Sequence, residues 1–214
     1  MRLFVFDLDG TLIDSRRDLA ESVNALVVER GGRDLPLDTV TAMVGEGAAL
    51  LVRRALTAAG LEPDVDSALP RFLDIYDERL LVHTQPYPGT REMLDILRPG
   101  TRLAVLTNKP QHHTDRVLRG LQLDGYFDDV VGGDTVHGRK PDPTGLHYLI
   151  AQSDGTPSTT TLIGDSAIDL RTARAAGVRV CLVRYGFGFS TVVAELSGSE
   201  LVASSPSELA TLIQ

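Results

Sequence analysis

The chain has 214 residues, of which 43% are hydrophobic and 23% are charged, and its formal net charge is −8. That length fits one large domain, or a core domain with a smaller partner. The negative charge argues against nucleic acid as a partner, because no basic stripe is present to neutralise phosphates. No apolar run approaches the roughly 18 residues that cross a membrane, so we expect no membrane attachment.

The N-terminal segment and the cysteine content bear on the compartment. Apolar residues 3–6 meet Asp7 and Asp9 almost at once, which leaves too short a stretch for a secretory signal. Cys181 is the only cysteine and lies in an apolar run, so we expect a buried strand residue rather than a nucleophile. A single cysteine allows no intramolecular disulfide, which suits a reducing compartment. We therefore expect a cytoplasmic protein.

Short apolar runs rich in Val, Ile and Leu recur along the chain and predict buried parallel strands. They lie at 3–8, 102–106, 129–131, 160–163 and 178–183, with a shorter one at 201–203. Stretches with helical spacing separate most of them, which predicts an α/β fold with a doubly wound parallel sheet. Near the C-terminus, Ser205 and Pro206 predict the N-cap and the first residue of a final helix.

The interval 15–85 interrupts this alternation, because only helical spacing is found there. Leu19, Val23 and Leu26 form one face of a first helix, and Asp14 and Ser15 are expected to cap it. Two more helices are predicted near 47–59 and 67–81. About seventy helical residues are too many for a simple crossover between strands. We therefore predict a core domain of 1–14 and 86–214 and a small α-helical cap domain of 15–85.

Polar residues follow several predicted strands at their carboxyl ends, where ligands bind in open α/β sheets. Asp7 and Asp9 follow the first strand, Thr107 and Asn108 follow the next strand of the core, and Asp165 follows a later one, while Lys140 lies in a loop before it. We expect these groups to converge on one rim of the sheet.

Several carboxylates in one small space stay ionised together only if a cation lies among them. Hard oxygen ligands without histidine or thiolate favour Mg²⁺. We expect Asp7, Asp165 and the backbone carbonyl of Asp9 to bind the ion directly. Asp169 is expected to act behind these ligands or through a water molecule. Mg²⁺ beside an exposed carboxylate, a hydroxyl and a lysine indicates phosphoryl transfer.

Each residue of the rim has a role in that chemistry. Asp7 can attack phosphorus and form an aspartyl-phosphate, and Asp9 can protonate the leaving oxygen and then activate water. Thr107, Asn108 and Lys140 can hold the phosphoryl oxygens. The sequence therefore predicts a magnesium-dependent phosphatase that acts on a small-molecule phosphate ester.

The four groups of residues, in this order, resemble the motifs of the haloacid dehalogenase superfamily of phosphatases. The resemblance implies a Rossmann-like core, a mobile cap between the first two motifs, Mg²⁺ and an aspartyl-phosphate intermediate. Shorter segments, among them 44–48, 86–89, 107–110 and 132–135, resemble bacterial phosphoglycolate phosphatases. That likeness implies 2-phosphoglycolate as the substrate and Arg54 as the residue that holds its carboxylate. Glu46 would disfavour a substrate carboxylate if it faced the pocket.

Other functions stay open at this point. Sugar-phosphate phosphatases and pyrophosphatases share much of the pattern, and a β-phosphoglucomutase-like mutase uses the same motifs. A hydrolytic dehalogenase would lack Asp9, and a phosphonatase would need a cap lysine, which 15–85 does not contain. A non-enzymatic phosphate-binding protein is disfavoured because Asp7 and Asp9 are both present.

A few further expectations concern residues outside the motifs. For Arg53 and Arg54, solvated positions on a helix are favoured over a role in the site. His112 and His113 are adjacent and cannot share a helix face, which argues against metal binding and favours the surface. The sequence is compatible with a monomer or a homodimer.

Overall fold

The computed structural model describes residues 1–213, and its main feature is a six-stranded parallel sheet. The strands are β1 (Arg2–Phe6), β2 (Ile13–Asp14), β3 (Gln85–Pro86), β4 (Thr101–Leu106), β5 (Asp129–Val131), β6 (Thr160–Gly164), β7 (Arg179–Val183) and β8 (Leu201–Ala203). The order in the large sheet is β5-β4-β1-β6-β7-β8, and every neighbouring pair is parallel. The predicted doubly wound, Rossmann-like α/β fold is confirmed.

Helices surround the sheet and also fill the interval 15–85. They are α1 (Arg16–Glu29), α2 (Leu37–Thr41), α3 (Ala48–Ala58), α4 (Val65–Arg79), α5 (Thr90–Leu97), α6 (Gln111–Gly120), α7 (Thr144–Gln152), α8 (Ala167–Ala176) and α9 (Pro206–Ile213). Within residues 1–213, none of them combines the length and the apolar composition that a membrane span requires.

Strand β1 is apolar from Leu3 to Phe6 because both of its faces are buried there. Phe4 and Phe6 pack into the core that includes residues of α5, α6 and α9, whereas Leu3 and Val5 pack into the core that includes residues of α7 and α8. Successive side chains of a strand point to opposite faces, so a strand between two helical layers reads as a continuous apolar run. The same packing buries Cys181 in β7, as predicted.

Helices α1 to α4 pack on one another between β2 and β3, and α1 contacts each of the other three. The segment that enters this interval, β2, pairs antiparallel with the segment that leaves it, β3. Ile13 lies opposite Pro86 and Asp14 lies opposite Gln85. The sequence did not predict α2 or this two-stranded ribbon, because such short elements carry too few positions for a periodic pattern. The division into a core of 1–14 and 86–214 and a cap of 15–85 stays a prediction.

Two local predictions are wrong in part. Ser15 occupies the N-cap position of α1, but its hydroxyl makes no capping hydrogen bond and instead donates to Oδ1 of Asp9 at 2.6 Å. Asp14 does accept from the backbone N–H of Arg16, the first residue of the helix, at 3.2 Å. His113 is buried and its ring stacks on that of Tyr76, with the centroids 5.4 Å apart, while His112 is exposed as expected. His113 is buried because that side of α6 packs against α4. The C-terminal prediction is confirmed, since α9 begins at Pro206 and Ser205 accepts a hydrogen bond from a backbone amide of that helix.

Candidate active site

A cavity of about 50 Å³ lies where the carboxyl ends of β1 and β4 face the helices of the interval 15–85. The polar side of this cavity is lined by Asp7, Asp9, Thr107, Asn108 and Lys109. The facing side is mainly apolar and includes Leu19, Leu51, Phe72, Leu73 and Tyr76. The structure therefore brings the first two predicted motifs to one cavity, as expected from strand ends that share an edge of the sheet.

Asp7 is the first residue after β1, and its carboxylate is buried beside a lysine. Nζ of Lys140 lies 2.9 Å from Oδ1 of Asp7 and 2.7 Å from Oδ1 of Asp169. Burial raises the pKa of Asp7 to about 6, although the ammonium of Lys140 acts in the opposite direction. Burial also opposes the charge of Lys140, but the two carboxylates outweigh it and raise the pKa of that lysine. The lysine is therefore charged and offsets part of the negative charge around Asp7.

Asp165 directly follows β6 and joins this group. Asp7, Asp165 and Asp169 each offer a carboxylate oxygen, and these three oxygens lie within 4.8 Å of one another. Burial, together with Asp169 and Asp7, raises the pKa of Asp165 well above its usual value. Three buried carboxylates with one lysine among them leave an excess of negative charge, which a bound cation would relieve.

The glycines around the cluster leave room for it. Gly10 has a φ of +89°, and a Cβ at this position would lie 2.2 Å from Oδ2 of Asp165. A Cβ at Gly186 would lie 2.3 Å from Cβ of Asp165. Any side chain at either position would displace the carboxylate, and at Gly10 the backbone conformation also favours glycine.

Asp169 is less available as a cation ligand than Asp7 and Asp165. It lies in the first turn of α8, where Ser166 and Asp169 form a capping box: N and Oγ of Ser166 donate to Oδ2 of Asp169 at 3.1 and 2.6 Å. Its other oxygen accepts from Lys140. Because both oxygens of Asp169 are in hydrogen bonds, Asp7 and Asp165 are the better direct ligands for a cation.

Asp9 lies in different surroundings from Asp7. Its carboxylate accepts hydrogen bonds from Ser15 Oγ and from Nζ of Lys109, which lies 3.1 Å from Oδ1 and 3.2 Å from Oδ2. Lys109 also donates to the hydroxyl of Tyr76, a residue of α4. The ammonium of Lys109 thus links the carboxylate of Asp9 to Tyr76 in the helical interval 15–85.

Thr107 and Asn108 lie where predicted, but the Asn108 amide is already in use. Nδ2 of Asn108 donates to the backbone carbonyls of Gly45 at 2.9 Å and Lys140 at 3.0 Å. Thr107 Oγ1 accepts from the backbone N–H of Lys109 at 3.3 Å. The side chain of Asn108 thereby fixes the loop that carries Lys140 and the loop before α3.

Arg54 is not among the residues that line the cavity. Its guanidinium forms an ion pair with Glu46 and donates to the carbonyl of Met43. Glu46 also lies outside the cavity lining and instead lines an adjoining groove. Arg53 lines an adjoining open groove together with Arg139 and Lys140. The role of Arg54 as a substrate ligand stays a prediction, and this pairing does not support it.

Lys109 is the residue of the site that motif reasoning missed. A signal was available in the composition, because the 21 basic residues comprise 19 arginines and only two lysines, Lys109 and Lys140. Nearly every basic residue is therefore an arginine, and the two lysines occupy buried positions beside Asp9 and Asp7.

Three comparisons with known proteins agree with this arrangement. A family model described as haloacid dehalogenase-like hydrolase matches residues 4–183. The phosphoglycolate phosphatase of Nitrosospira multiformis is 41% identical over 209 residues, which are 95% of this chain and 92% of that protein. That of Pseudomonas putida is 40% identical over 192 residues, which are 87% of this chain and 70% of that protein. A crystal structure from Haemophilus somnus, described as a predicted phosphoglycolate phosphatase, has a TM-score of 0.92 and 29% identity, and the match covers 100% of this chain and 98% of that one.

Proposed function

The chain belongs to the haloacid dehalogenase-like hydrolase family, and we propose on that premise that it is a phosphatase of small phosphate monoesters whose substrate is 2-phosphoglycolate. The observation that carries this proposal is the placement of Asp7 and Asp9 on one enclosed cavity, each beside its own lysine. The substrate follows from the phosphoglycolate phosphatases that this chain resembles over most of its length.

Asp7 is the nucleophile in this proposal. An oxygen of its carboxylate attacks phosphorus, the bond between phosphorus and the ester oxygen breaks, and an aspartyl-phosphate forms. Lys140 supports this step because its ammonium lies 2.9 Å from Oδ1 of Asp7 and offsets the repulsion between the nucleophile and the incoming phosphate.

Asp9 acts as the general acid and then as the general base. In the first step it gives a proton to the leaving oxygen, so that glycolate leaves as the alcohol. In the second step it takes a proton from a water molecule, whose oxygen attacks phosphorus and breaks the bond to Asp7. Inorganic phosphate is released and both aspartates return to their starting state.

Mg²⁺ is the proposed cofactor, and the donor set fits it. Asp7 and Asp165 would hold the ion, with the backbone carbonyl of Asp9 as a further oxygen ligand and Asp169 behind them. The excess of buried carboxylates supports a cation at this place, since burial raises the pKa of both Asp7 and Asp165. When bound, Mg²⁺ supplies positive charge that stabilises the phosphoryl oxygens.

The remaining motif residues hold the phosphate and shape its surroundings. Thr107 is proposed to contact a phosphoryl oxygen, and Asn108 is proposed to do so while it also orients the Lys140 loop. A cytoplasmic location is proposed as well, on the ground that the single cysteine is free and buried.

The test is phosphate release from a panel of small esters, with Mg²⁺ and with a chelator, by the wild type and by Asp7→Asn. We expect Mg²⁺-dependent release by the wild type, a preference for 2-phosphoglycolate, and no release by the variant. Release of phosphate also separates a hydrolase from a mutase, which would return the phosphoryl group to a sugar. Rapid release by Asp7→Asn would refute the assigned nucleophile, and a preference for sugar phosphates would refute the assigned substrate.

A further inference from the structure

The two lysines of the chain lie beside different aspartates of the site. Lys140 lies beside Asp7, where the phosphoryl group is expected, and is accounted for by the proposed function. Lys109 lies beside Asp9, on the side where the leaving group is expected, and the reaction steps assign it nothing. The compact ammonium of lysine and the planar fork of arginine present their donors differently, so the two residues are not interchangeable at such a position.

Lys109 is held as a buried, charged group. Its side chain is 3% exposed, and its Nζ lies 4.7 Å from the centroid of the Tyr76 ring, whose hydroxyl accepts one of its hydrogen bonds. Burial opposes the charge, but Asp9 and Tyr76 outweigh this effect and raise the pKa of the lysine. The three acceptors of its ammonium are Oδ1 and Oδ2 of Asp9 and the Tyr76 hydroxyl. Because two of them belong to one carboxylate, one N–H donor can pass to a ligand while Asp9 keeps its ion pair.

The position of Asp9 fixes where the rest of the leaving group lies. Because Asp9 must reach the ester oxygen in order to protonate it, the atoms beyond that oxygen lie next to Asp9. Lys109 is 3.1 Å from Asp9 and lines the same cavity. Around it the wall is apolar, with Leu51, Phe72 and Leu73 on the facing helices.

Without Lys109, the cavity would be an unfavourable environment for a carboxylate on the leaving group. It would lie beside the Asp9 carboxylate and against apolar side chains, where an unpaired charge is costly to bury. Among the lining residues that the structure describes, Lys109 is the one with a positive charge. Arg54, the cation that the sequence pattern singled out, is paired with Glu46 outside this lining.

We propose that Lys109, together with the hydroxyl of Tyr76, binds the carboxylate of the leaving group and so selects phosphate esters of small hydroxy acids. This inference rests on the proposed function, and it names the residues that distinguish 2-phosphoglycolate from an uncharged ester. The apolar wall around Lys109 rejects larger polar leaving groups, since it offers them no hydrogen-bond partners.

The test compares two esters of similar size in the full-length protein with Mg²⁺. One is 2-phosphoglycolate, and the other is 2-hydroxyethyl phosphate, whose leaving group carries no charge. The quantity measured is the ratio of kcat/KM for the first ester to that for the second. We expect Lys109→Gln to lower this ratio about 10- to 100-fold, the range for loss of a hydrogen bond to a charged group. Tyr76→Phe should lower it by a smaller factor, because the ammonium stays.

Two further variants make the outcome decisive. Lys109→Arg keeps the charge and should keep more of the ratio than Lys109→Gln does. Arg54→Gln tests the competing cation and should leave the ratio unchanged. A ratio that falls in Arg54→Gln and not in Lys109→Gln would overturn the inference. So would an equal loss of both activities in Lys109→Gln, because the lysine would then act on Asp9 or on folding.

The wild type separates failure of this inference from failure of the proposed function. If it releases no phosphate from either ester, the proposed function fails. If it hydrolyses both esters and Lys109→Gln keeps the wild-type ratio, the phosphatase assignment stands and the role of Lys109 alone is overturned.

Discussion

Asp7 and Asp9 are two residues apart, yet they differ in what surrounds them. Asp7 lies with Asp165 and Asp169 in a buried cluster, whereas Asp9 accepts from Ser15 and Lys109 outside it. Two carboxylates in different environments can take different roles in one reaction, and the environment decides which is the nucleophile and which handles the proton. Asp7, beside the proposed cation site, suits attack on phosphorus.

The proposed role of Asp9 as general acid predicts that the rate loss in a variant depends on the leaving group. Asp9→Asn should lower kcat about 100- to 10,000-fold for alkyl phosphates, since a general acid contributes that much. The loss in the first step should be smaller for p-nitrophenyl phosphate, whose leaving group departs without a proton. Steady-state rates and the burst of p-nitrophenol check this. Asp14→Asn, which removes a half-buried carboxylate paired with Arg16, is the control and should leave the ratio of the two rates unchanged. Equal losses for both esters in Asp9→Asn would contradict the assignment.

Helix α1 is tied to the end of the helical interval by one buried carboxylate. Asp18, in the first turn of α1, accepts hydrogen bonds from the backbone N–H of His83 at 3.0 Å and of Thr84 at 2.8 Å, and from the Thr84 hydroxyl at 2.7 Å. Asp18 therefore joins the point where the chain enters this interval to the point where it leaves. Its first-turn position adds a favourable interaction with the helix dipole.

Asp18→Asn should lower the free energy of unfolding by about 2–3 kcal/mol, because an amide NH₂ would replace an acceptor in front of buried donors. Urea denaturation measures the loss. The matched control is Asp74→Asn on an exposed position of α4, which should change stability by no more than about 0.5 kcal/mol. Equal stabilities of the two variants would show that the Asp18 hydrogen bonds contribute little.

The large elements could be predicted from the sequence, and the contacts between them could not. Strand β1 was recognised because burial on both faces leaves an uninterrupted apolar run. The motif residues could be assigned to one edge of the sheet because the carboxyl ends of parallel strands meet there. Arg54 pairs with Glu46, 8 positions away, and Lys109 with Tyr76, 33 positions away. A local sequence pattern does not indicate which of such distant residues are in contact. The burial of His113 was missed for the same reason, since it depends on α4.

At the scale of the whole molecule, the proposed cation site predicts that stability depends on the cation. Burial raises the pKa of Asp165 in the folded state, so its ionisation opposes folding, and this cost appears as pH rises above the value at which the unfolded carboxyl titrates. A cation that binds only the folded chain offsets the cost, and at 100 times its dissociation constant it adds about 2.7 kcal/mol.

We therefore expect Mg²⁺ to raise the Tm of the wild type by about 5–10 °C, given about 2–4 °C per kcal/mol for a chain of this size. Asp165→Asn should melt higher than the wild type in a chelator at neutral pH and should show little further rise with Mg²⁺. Scanning calorimetry or dye-based melting measures both. Glu62→Gln, at an exposed position, should keep the full Mg²⁺ shift. An undiminished shift in Asp165→Asn would remove that residue from the cation site.

The central claim is that the phosphoryl group passes through Asp7, and it can be tested on the protein itself. The enzyme is mixed with substrate and Mg²⁺, quenched in acid during turnover, reduced with borohydride and digested for mass spectrometry. Borohydride converts an aspartyl-phosphate to homoserine, so the account predicts homoserine at position 7 in the wild type and none without substrate. Turnover that leaves Asp7 unmodified while another residue carries the phosphoryl group would contradict it.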